Sequence, residues 1–475
     1  MSVSSVRVRR AETTFDDRVV EAALGRSPLD IHTVDYVPAP TIRVGERIHE
    51  PTSYFLWHHC RAHPDLKTAQ RRAVELARWL RFLLDDRGLP LLPGRDDPVF
   101  AAREADFGAF YRRFHYGVLN DAGDLDREHV LSSASWRSTR TALKLFYEYL
   151  ERRYQIPAPF ELGTVPHHIT GRPVRSIVGY RPRRAARGSS GLPLEPAYVE
   201  LLLQAALRID RDGAQQDYLG ADRDHAILAL AFASGLRRNN LANVTTYEVP
   251  PPAPRRDFTV MPVADFITKG DAGGDAFVFS HHLPAVWAYI EGRRAELADS
   301  HSYRPERPLH VVDADERRVL YDNPAEPENR TRSRAWAQCD AAFRRRLVNP
   351  DGSSPVLFLN EYNAYPVAYD SLSNVIEGAR EFARTHIDPR FPASFRIHDT
   401  RHTYAVHLLL SVYHGVLAKS LAPGRRGEYQ VDHLAAALEL VKASLGHASE
   451  SSTRLYLSTA HRFIDLPPEQ FIGVL

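Results

Sequence analysis

Three short stretches of this sequence carry residue types that could act together. Phe395-Arg-Ile-His-Asp-Thr-Arg-His-Thr-Tyr404 places His398, Arg401 and His402 at i, i+3 and i+4, which is one face of a helix. Ser234-Gly-Leu-Arg-Arg-Asn-Asn240 sets Arg237 just beyond a glycine, at a loop-to-helix junction suited to presenting a guanidinium to an anion. Ser444-Leu-Gly-His447 is followed nine residues later by Tyr456. Two permanently charged, fork-shaped guanidiniums are suited to hold the non-bridging oxygens of a phosphodiester. Imidazoles can add hydrogen bonds to those oxygens or take a proton, and a phenolate can attack the phosphorus.

Scarcity adds a fourth candidate. The chain has 56 arginines and five lysines, Lys67, Lys144, Lys269, Lys419 and Lys442, so a lysine in a special place needs its own explanation. Lys269 opens Lys269-Gly-Asp-Ala-Gly-Gly274, the loop expected between strands at Phe258–Val263 and Ala276–Phe279. An ammonium can give up a proton, whereas a guanidinium with a pKa above about 12 does not.

The elements that must position these groups follow from period and punctuation. Ala69, Ala73, Leu76, Leu80 and Leu83 predict a helix over Asp65–Asp86, stopped by Gly88. Phe100–Val118 and Ser135–Tyr154 predict two more, the second capped by Ser132 or Ser133. Residues 51–160 therefore read as a small all-helical domain, preceded by an extension over 1–50 that lacks a sustained period. Residues 161–191 read as a linker broken by prolines. Its arginines, Arg172, Arg175, Arg181, Arg183, Arg184 and Arg187, include no acid between them and suit a phosphate backbone.

A third region spans 192–475. Leu194–Tyr198 leads into a helix, and Asp222–Ala233 is a buried helix that Gly235 ends. Beyond Val286 the pattern reads as mostly helical, with inserts near 300–353 and 420–430. The fold class expected is mainly α with a small β-hairpin or sheet, α+β. The tail 460–475 carries Phe463-Ile-Asp-Leu466 and Phe471-Ile-Gly-Val-Leu475, apolar residues that an unattached tail seldom has, and is expected to dock on a neighbouring subunit. The doublets His58-His59, His167-His168 and His281-His282 read as surface residues.

Composition bounds the class. In 475 residues, 44% are hydrophobic and 25% charged, which argues against wholesale disorder, collagen and disulfide scaffolds. The net charge of +2 neither demands nor excludes a polyanion. Cys60 and Cys339 build no disulfide framework and no metal motif. Met1–Arg10 has no apolar core for a secretory signal, and Ala226–Ala233 is far shorter than the ~20 residues of a membrane span. A soluble, cytoplasmic protein with no cofactor is the expectation.

Taken together, the motifs resemble those of the tyrosine recombinase (phage integrase) family. That family has an arginine in a Gly-Leu-Arg box, a hairpin lysine, a His-x-x-Arg-His box, a Leu-Gly-His box and a tyrosine nine residues beyond it. Here these are Gly235-Leu-Arg237, Lys269, His398-Asp-Thr-Arg-His402, Leu445-Gly-His447 and Tyr456, in the family's order. The resemblance is strong over 235–279 and 355–457 and weak over 51–160, where the family has a helical core-binding domain. It implies a clamp of two domains on double-stranded DNA, four subunits on two sites, accessory proteins in some systems, and a nucleoid-associated location. It also implies roles. Arg237, Arg401, His398 and His447 would hold the phosphate, Tyr456 would attack, and Lys269 would protonate the leaving oxygen. His402 would brace the site.

Two departures from the pattern stand out. Asn240 occupies the place of a usual glutamate and supplies no counter-charge, while Thr400 replaces a leucine whose role is packing. Two other readings compete. A metal-dependent hydrolase could use His398 and His402 at i and i+4, but Arg401 would put a fixed charge beside the cation, and Asp399 stands where a zinc protease has glutamate. A non-catalytic DNA-binding protein on the same scaffold is the other.

Overall fold

The computed structural model describes residues 6–10, 38–62, 66–92, 96–119, 125–166, 173–181, 193–264, 274–325, 330–420, 430–446, 460 and 463. The chain divides into two units, Met1–Ala186 and Arg187–Leu475.

The first unit opens with antiparallel strands β1 (Val6–Arg9), β2 (Thr41–Val44) and β3 (Arg47–Ile48). The extension over 1–50 thus contributes a sheet, and 51–160 is not the whole of this core. Val6 and Ile42 are buried among helical side chains, so burial supports strands too short to show a period in sequence. Helices α1 (Glu50–Ala62), α2 (Leu66–Arg81), α3 (Pro98–Ala101) and α4 (Glu104–Tyr116) follow, then the short pair β4 (Val118–Leu119) and β5 (Leu125–Asp126), then α5 (Ser133–Tyr154).

In α2 the stripe Ala69, Ala73, Leu76 and Leu80 is buried, and a π-helical turn, Phe82–Asp86, carries the chain to Gly88 at φ +65°. Ser132 caps α5 by accepting from the Ser135 N–H at 3.1 Å. The polar tips of the aromatic core are satisfied in series. The Trp79 indole donates to Tyr147 Oη at 3.0 Å, and the Tyr147 hydroxyl donates to the Val99 carbonyl at 2.9 Å.

Within the stretch read as a linker, β6 (Leu162–Pro166) and β7 (Pro173–Ile177) pair antiparallel. Pro166 and Pro173, two of the prolines that suggested irregular chain, sit at the strand ends, opposite one another, where a missing N–H does little harm.

The second unit begins with α6 (Pro196–Ala206), α7 (Ala221–Ser234) and α8 (Arg238–Leu241), then a two-stranded hairpin, β8 (Phe258–Val263) with β9 (Gly274–Phe279), then α9 (Leu283–Glu291) and α10 (Arg293–Ser300). Every residue of α7 from Ala226 to Ser234 is buried, as an apolar run without a polar face requires. It packs against α6 and α9. Ile227, Leu228 and Leu230 each contribute on the order of 1.5–3 kcal/mol by that burial.

The region 300–353 corrects the expectation of a mostly helical pattern beyond Val286. It folds into β10 (Leu309–Ala314), β11 (Arg318–Asp322), β12 (Thr331–Ala335), α11 (Ala341–Arg344) and β13 (Leu347–Val348), a sheet in the order β12-β11-β10-β13. The β10–β13 pair is parallel and the other two antiparallel. Leu309, Val311, Val319, Tyr321, Trp336 and Phe343 give it a core of its own. Arg344 ties it to the helical body.

Three helices complete the unit: α12 (Ser371–Phe382), α13 (Ile397–Ser420) and α14 (Gln430–Leu445). Helix α13 packs against α7 and α14, and α14 packs against β9. Of the tail, Ala460 and Phe463 are described, and both are buried in a cluster of their own chain with Leu408 and Val441. The rest of the tail lies outside the described residues, as does the insert near 420–430 apart from Ser420 and Gln430. No helix among the described residues is long and apolar enough to cross a membrane. His282 is buried, which corrects its reading as a surface residue.

Candidate active site

Gly235 ends α7 in the left-handed conformation, at φ +60°. A Cβ there would lie 2.2 Å from Cδ1 of Tyr404, so both backbone angle and space require glycine. The reversal sends Leu236 into the core and leaves Arg237 extended at the start of α8, half-buried.

Arg401 reaches the same place from α13. It is buried, and its guanidinium donates to the Gly235 carbonyl at 2.7 Å and the Leu445 carbonyl at 2.5 Å. Those two carbonyls belong to the Gly-Leu-Arg and Leu-Gly-His boxes, so one side chain fixes three motifs relative to one another. Arg237, Asn240, Val263, Gly274, Arg401 and Leu445 line a single cleft. Val263 and Gly274 are the strand ends that flank the Lys269 loop, and Gly446, at φ +58°, precedes His447. Lys269, His447 and Tyr456 themselves lie outside the described residues.

His398 stands in the first turn of α13, solvent-accessible, with its ring centroid 5.0 Å from that of His402. Its imidazole is held below the ordinary histidine range, chiefly by partial desolvation, with repulsion from Arg401 and Arg237 added. At neutral pH it is an acceptor. Half-buried His402 is lowered to about 4, by burial first and then by repulsion from His398, when that ring is protonated, and from Arg401. It braces the helix as a neutral ring.

Asp399 accepts from the Arg396 N–H at 2.8 Å, capping α13 from within, and burial raises its carboxyl above the ordinary range. Thr400 is fully buried and donates to the Ile397 carbonyl at 2.8 Å, a packing position as expected. Asn240 is buried in α8, where its carbonyl accepts from Asn243 and Val244. Among the described residues no third His, Cys, Asp or Glu joins His398 and His402 in a group that could hold a metal.

Of the linker arginines, Arg175 lies on β7, 3.7 Å from Glu151, and Arg181 is exposed. Arg172, Arg183, Arg184 and Arg187 lie outside the described residues. Two residues beside the cleft, one of them lining it, gain a place that spacing alone had not given them. Tyr404 and Ser444 stood inside the quoted motifs, but their contacts with the hairpin become visible only in three dimensions.

The chain is similar to solved structures of recombinases. One is XerH site-specific recombinase bound to palindromic difH substrate, in a post-cleavage complex, at 14% identity over 84% of this chain and 78% of that chain, with a TM-score of 0.46. Another is the Tn1549 transposon integrase in complex with transposon right end DNA, at 11% identity over 87% and 98%, with a TM-score of 0.43. XerA recombinase matches at 13% identity over 87% and 96%, with a TM-score of 0.30. No protein-family model matches the chain, and no curated protein sequence matches it.

Proposed function

We propose that this protein is a tyrosine recombinase, a site-specific DNA recombinase or integrase that cuts and rejoins strands through a covalent 3′-phosphotyrosine. The observation that carries the reading is the convergence of Arg237, Arg401, both ends of the Lys269 loop and the Leu445-Gly446 turn on one cleft. Arg237 and Arg401 hold the non-bridging oxygens, where negative charge grows during in-line displacement. His447 donates to the same oxygens.

Tyr456 attacks as a phenolate. An ordinary phenol has a pKa of about 10, and the cationic cleft favours its ionised form. Neutral His398 is suited to take that proton. A bond forms between Tyr456 Oη and phosphorus as the bond to the 5′ oxygen breaks, and Lys269 protonates the departing oxygen. The phosphotyrosine retains the bond energy for religation, so neither nucleotide nor metal enters the scheme. Double-stranded DNA is the substrate, and four copies acting on two sites, with accessory proteins setting direction, complete the proposal.

Incubation with nicked suicide substrates tests it. A protein–DNA adduct is expected and should vanish in Tyr456→Phe; an adduct that persists in that variant overturns the assignment. Lys269→Ala should slow cleavage of ordinary DNA and recover when the leaving oxygen is replaced by sulfur, whereas Arg237→Ala should not recover. A strong chelator is expected to leave the reaction unchanged, and inhibition by it would favour the metal-dependent reading.

A further inference from the structure

Between helix α13 and the hairpin lies a closed ring of three hydrogen bonds. The Phe277 N–H on β9 donates to Ser444 Oγ at 3.0 Å. Tyr404 Oη and Ser444 Oγ are 2.6 Å apart, and the Tyr404 hydroxyl donates to the Phe277 carbonyl at 2.5 Å. The proton count fixes the remaining direction. Tyr404 has one hydroxyl proton and gives it to Phe277, so the Ser444 hydroxyl must donate to Tyr404. Each of the three residues gives one proton and accepts one.

The ring sits where strand geometry needs it. Phe277 pairs with Val260 on β8, and its own N–H and C=O turn to the outer edge of the hairpin, where two side chains satisfy both. Tyr404 is fully buried, one helical turn beyond Arg401, with its ring against Gly235 and edge-on to Phe279. Ser444 directly precedes Leu445, whose carbonyl holds Arg401. A two-stranded hairpin has little register of its own against the helices beneath it. Here the same two segments, α13 and the end of α14, grip the phosphate-holding arginine and the hairpin edge together.

We propose that Tyr404 and Ser444 are positioning residues that lock the β8–β9 hairpin in register with Arg401, so that the hairpin presents its proton donor to the leaving oxygen. This rests on the recombinase reading for its chemistry, though not for its geometry. Neither residue touches the reacting atoms. Their effect is carried by β9, and removing any one hydroxyl opens the whole ring.

The test compares two leaving groups in the full-length protein. Tyr404→Phe and Ser444→Ala should each slow covalent cleavage of ordinary DNA about tenfold or more with DNA affinity unchanged, since small misplacements at a reacting centre are costly. Sulfur in place of the 5′ oxygen, which needs no proton, should restore most of the lost rate. The double variant should be no slower than either single, and Ser444→Thr, which keeps the hydroxyl, should retain activity. Equal slowing on both substrates, or additive losses, overturns the lock. Hydrogen exchange separates this from failure of the recombinase reading. If the unaltered protein forms no adduct on any DNA, faster exchange of the Phe277 amide in both single variants still supports the lock, and unchanged exchange overturns it.

Discussion

Arg344 and Arg401 are both arginines that the fold removes from water, 0% and 6% exposed, yet their donors meet different acceptors. Arg344 faces Glu248 in a forked pair, one contact of which is 2.9 Å, and reaches the carbonyls of Cys339, Asn243 and Trp336 at 2.8, 3.1 and 2.9 Å. All five N–H groups are engaged and the charge is neutralised, so this guanidinium can only hold the small sheet to the helical body. Arg401 is held by carbonyls of Gly235 and Leu445 and lines the cleft. These two carbonyl contacts orient the guanidinium and do not themselves neutralise it. On the proposed reading, the difference separates an arginine used as a joint from one that also holds an anion.

The largest effect is expected at the joint. Glu248→Ala leaves the Arg344 charge buried without its counter-ion and should lower stability by about 3–5 kcal/mol in urea unfolding. Replacing both partners with apolar residues should cost less, because no charge is then stranded. If the single and double replacements are equally harmful, neutralisation is not what Glu248 does.

Next in size is the cleft. Arg401→Lys keeps the charge and loses the fork, so covalent cleavage should fall by about 10²–10³-fold. Its stability should change by only about 1–2 kcal/mol, the worth of two hydrogen bonds to carbonyls. Should Arg344→Lys depress cleavage as strongly at unchanged stability, the contrast between joint and clamp collapses.

A smaller loss is expected at Gly235, whose carbonyl orients Arg401. Gly235→Ala introduces a Cβ at φ +60° and into the Tyr404 ring, and should destabilise by about 1–3 kcal/mol. Thermal unfolding beside cleavage assays reads both consequences. A fully stable, fully active variant would show that neither the turn nor the ring contact matters.

How much of this was legible beforehand depended on the range of each interaction. Gly235, the helix it ends and the one-face spacing of His398, Arg401 and His402 are local, and the sequence displays them. The hairpin strands were also visible, with β9 beginning two residues earlier than expected, at Gly274. The strands within 1–50 and 300–353 were not, because runs of two to six residues gain their stability from Val6, Ile42 and Trp336 meeting distant partners. Glu248 and Arg344 are 96 residues apart, and no spacing rule joins them. The same holds for Tyr404 and Ser444, whose hydroxyls acquire meaning only against the backbone of Phe277.

The smallest effect concerns a buried histidine that, like Arg401, is held by a carbonyl. His407 Nε2–H donates to the Leu194 carbonyl at 2.8 Å, and burial pushes its pKa down to about 4; neighbouring His282 is driven well below the ordinary value by burial and then by His281 and His407. Above pH 6.5 these rings are neutral in both folded and unfolded chains, and their contribution to stability is fully present. Between pH 6.5 and 4 the unfolded chain takes up protons that the folded core refuses, so stability falls by up to about 1.4 kcal/mol per pH unit per histidine. Asp399, with its carboxyl raised by burial, works in the opposite sense as the pH rises through and above the ordinary carboxylate range. The comparison with a variant isolates the histidine from it. His407→Gln keeps a donor for Leu194 and removes the titration, so urea unfolding at pH 7, 6 and 5 should show its acid slope reduced by nearly one proton. An unchanged slope would mean that the His407 ring accepts its proton within the folded core, and that a carbonyl partner there permits charge as it does for Arg401.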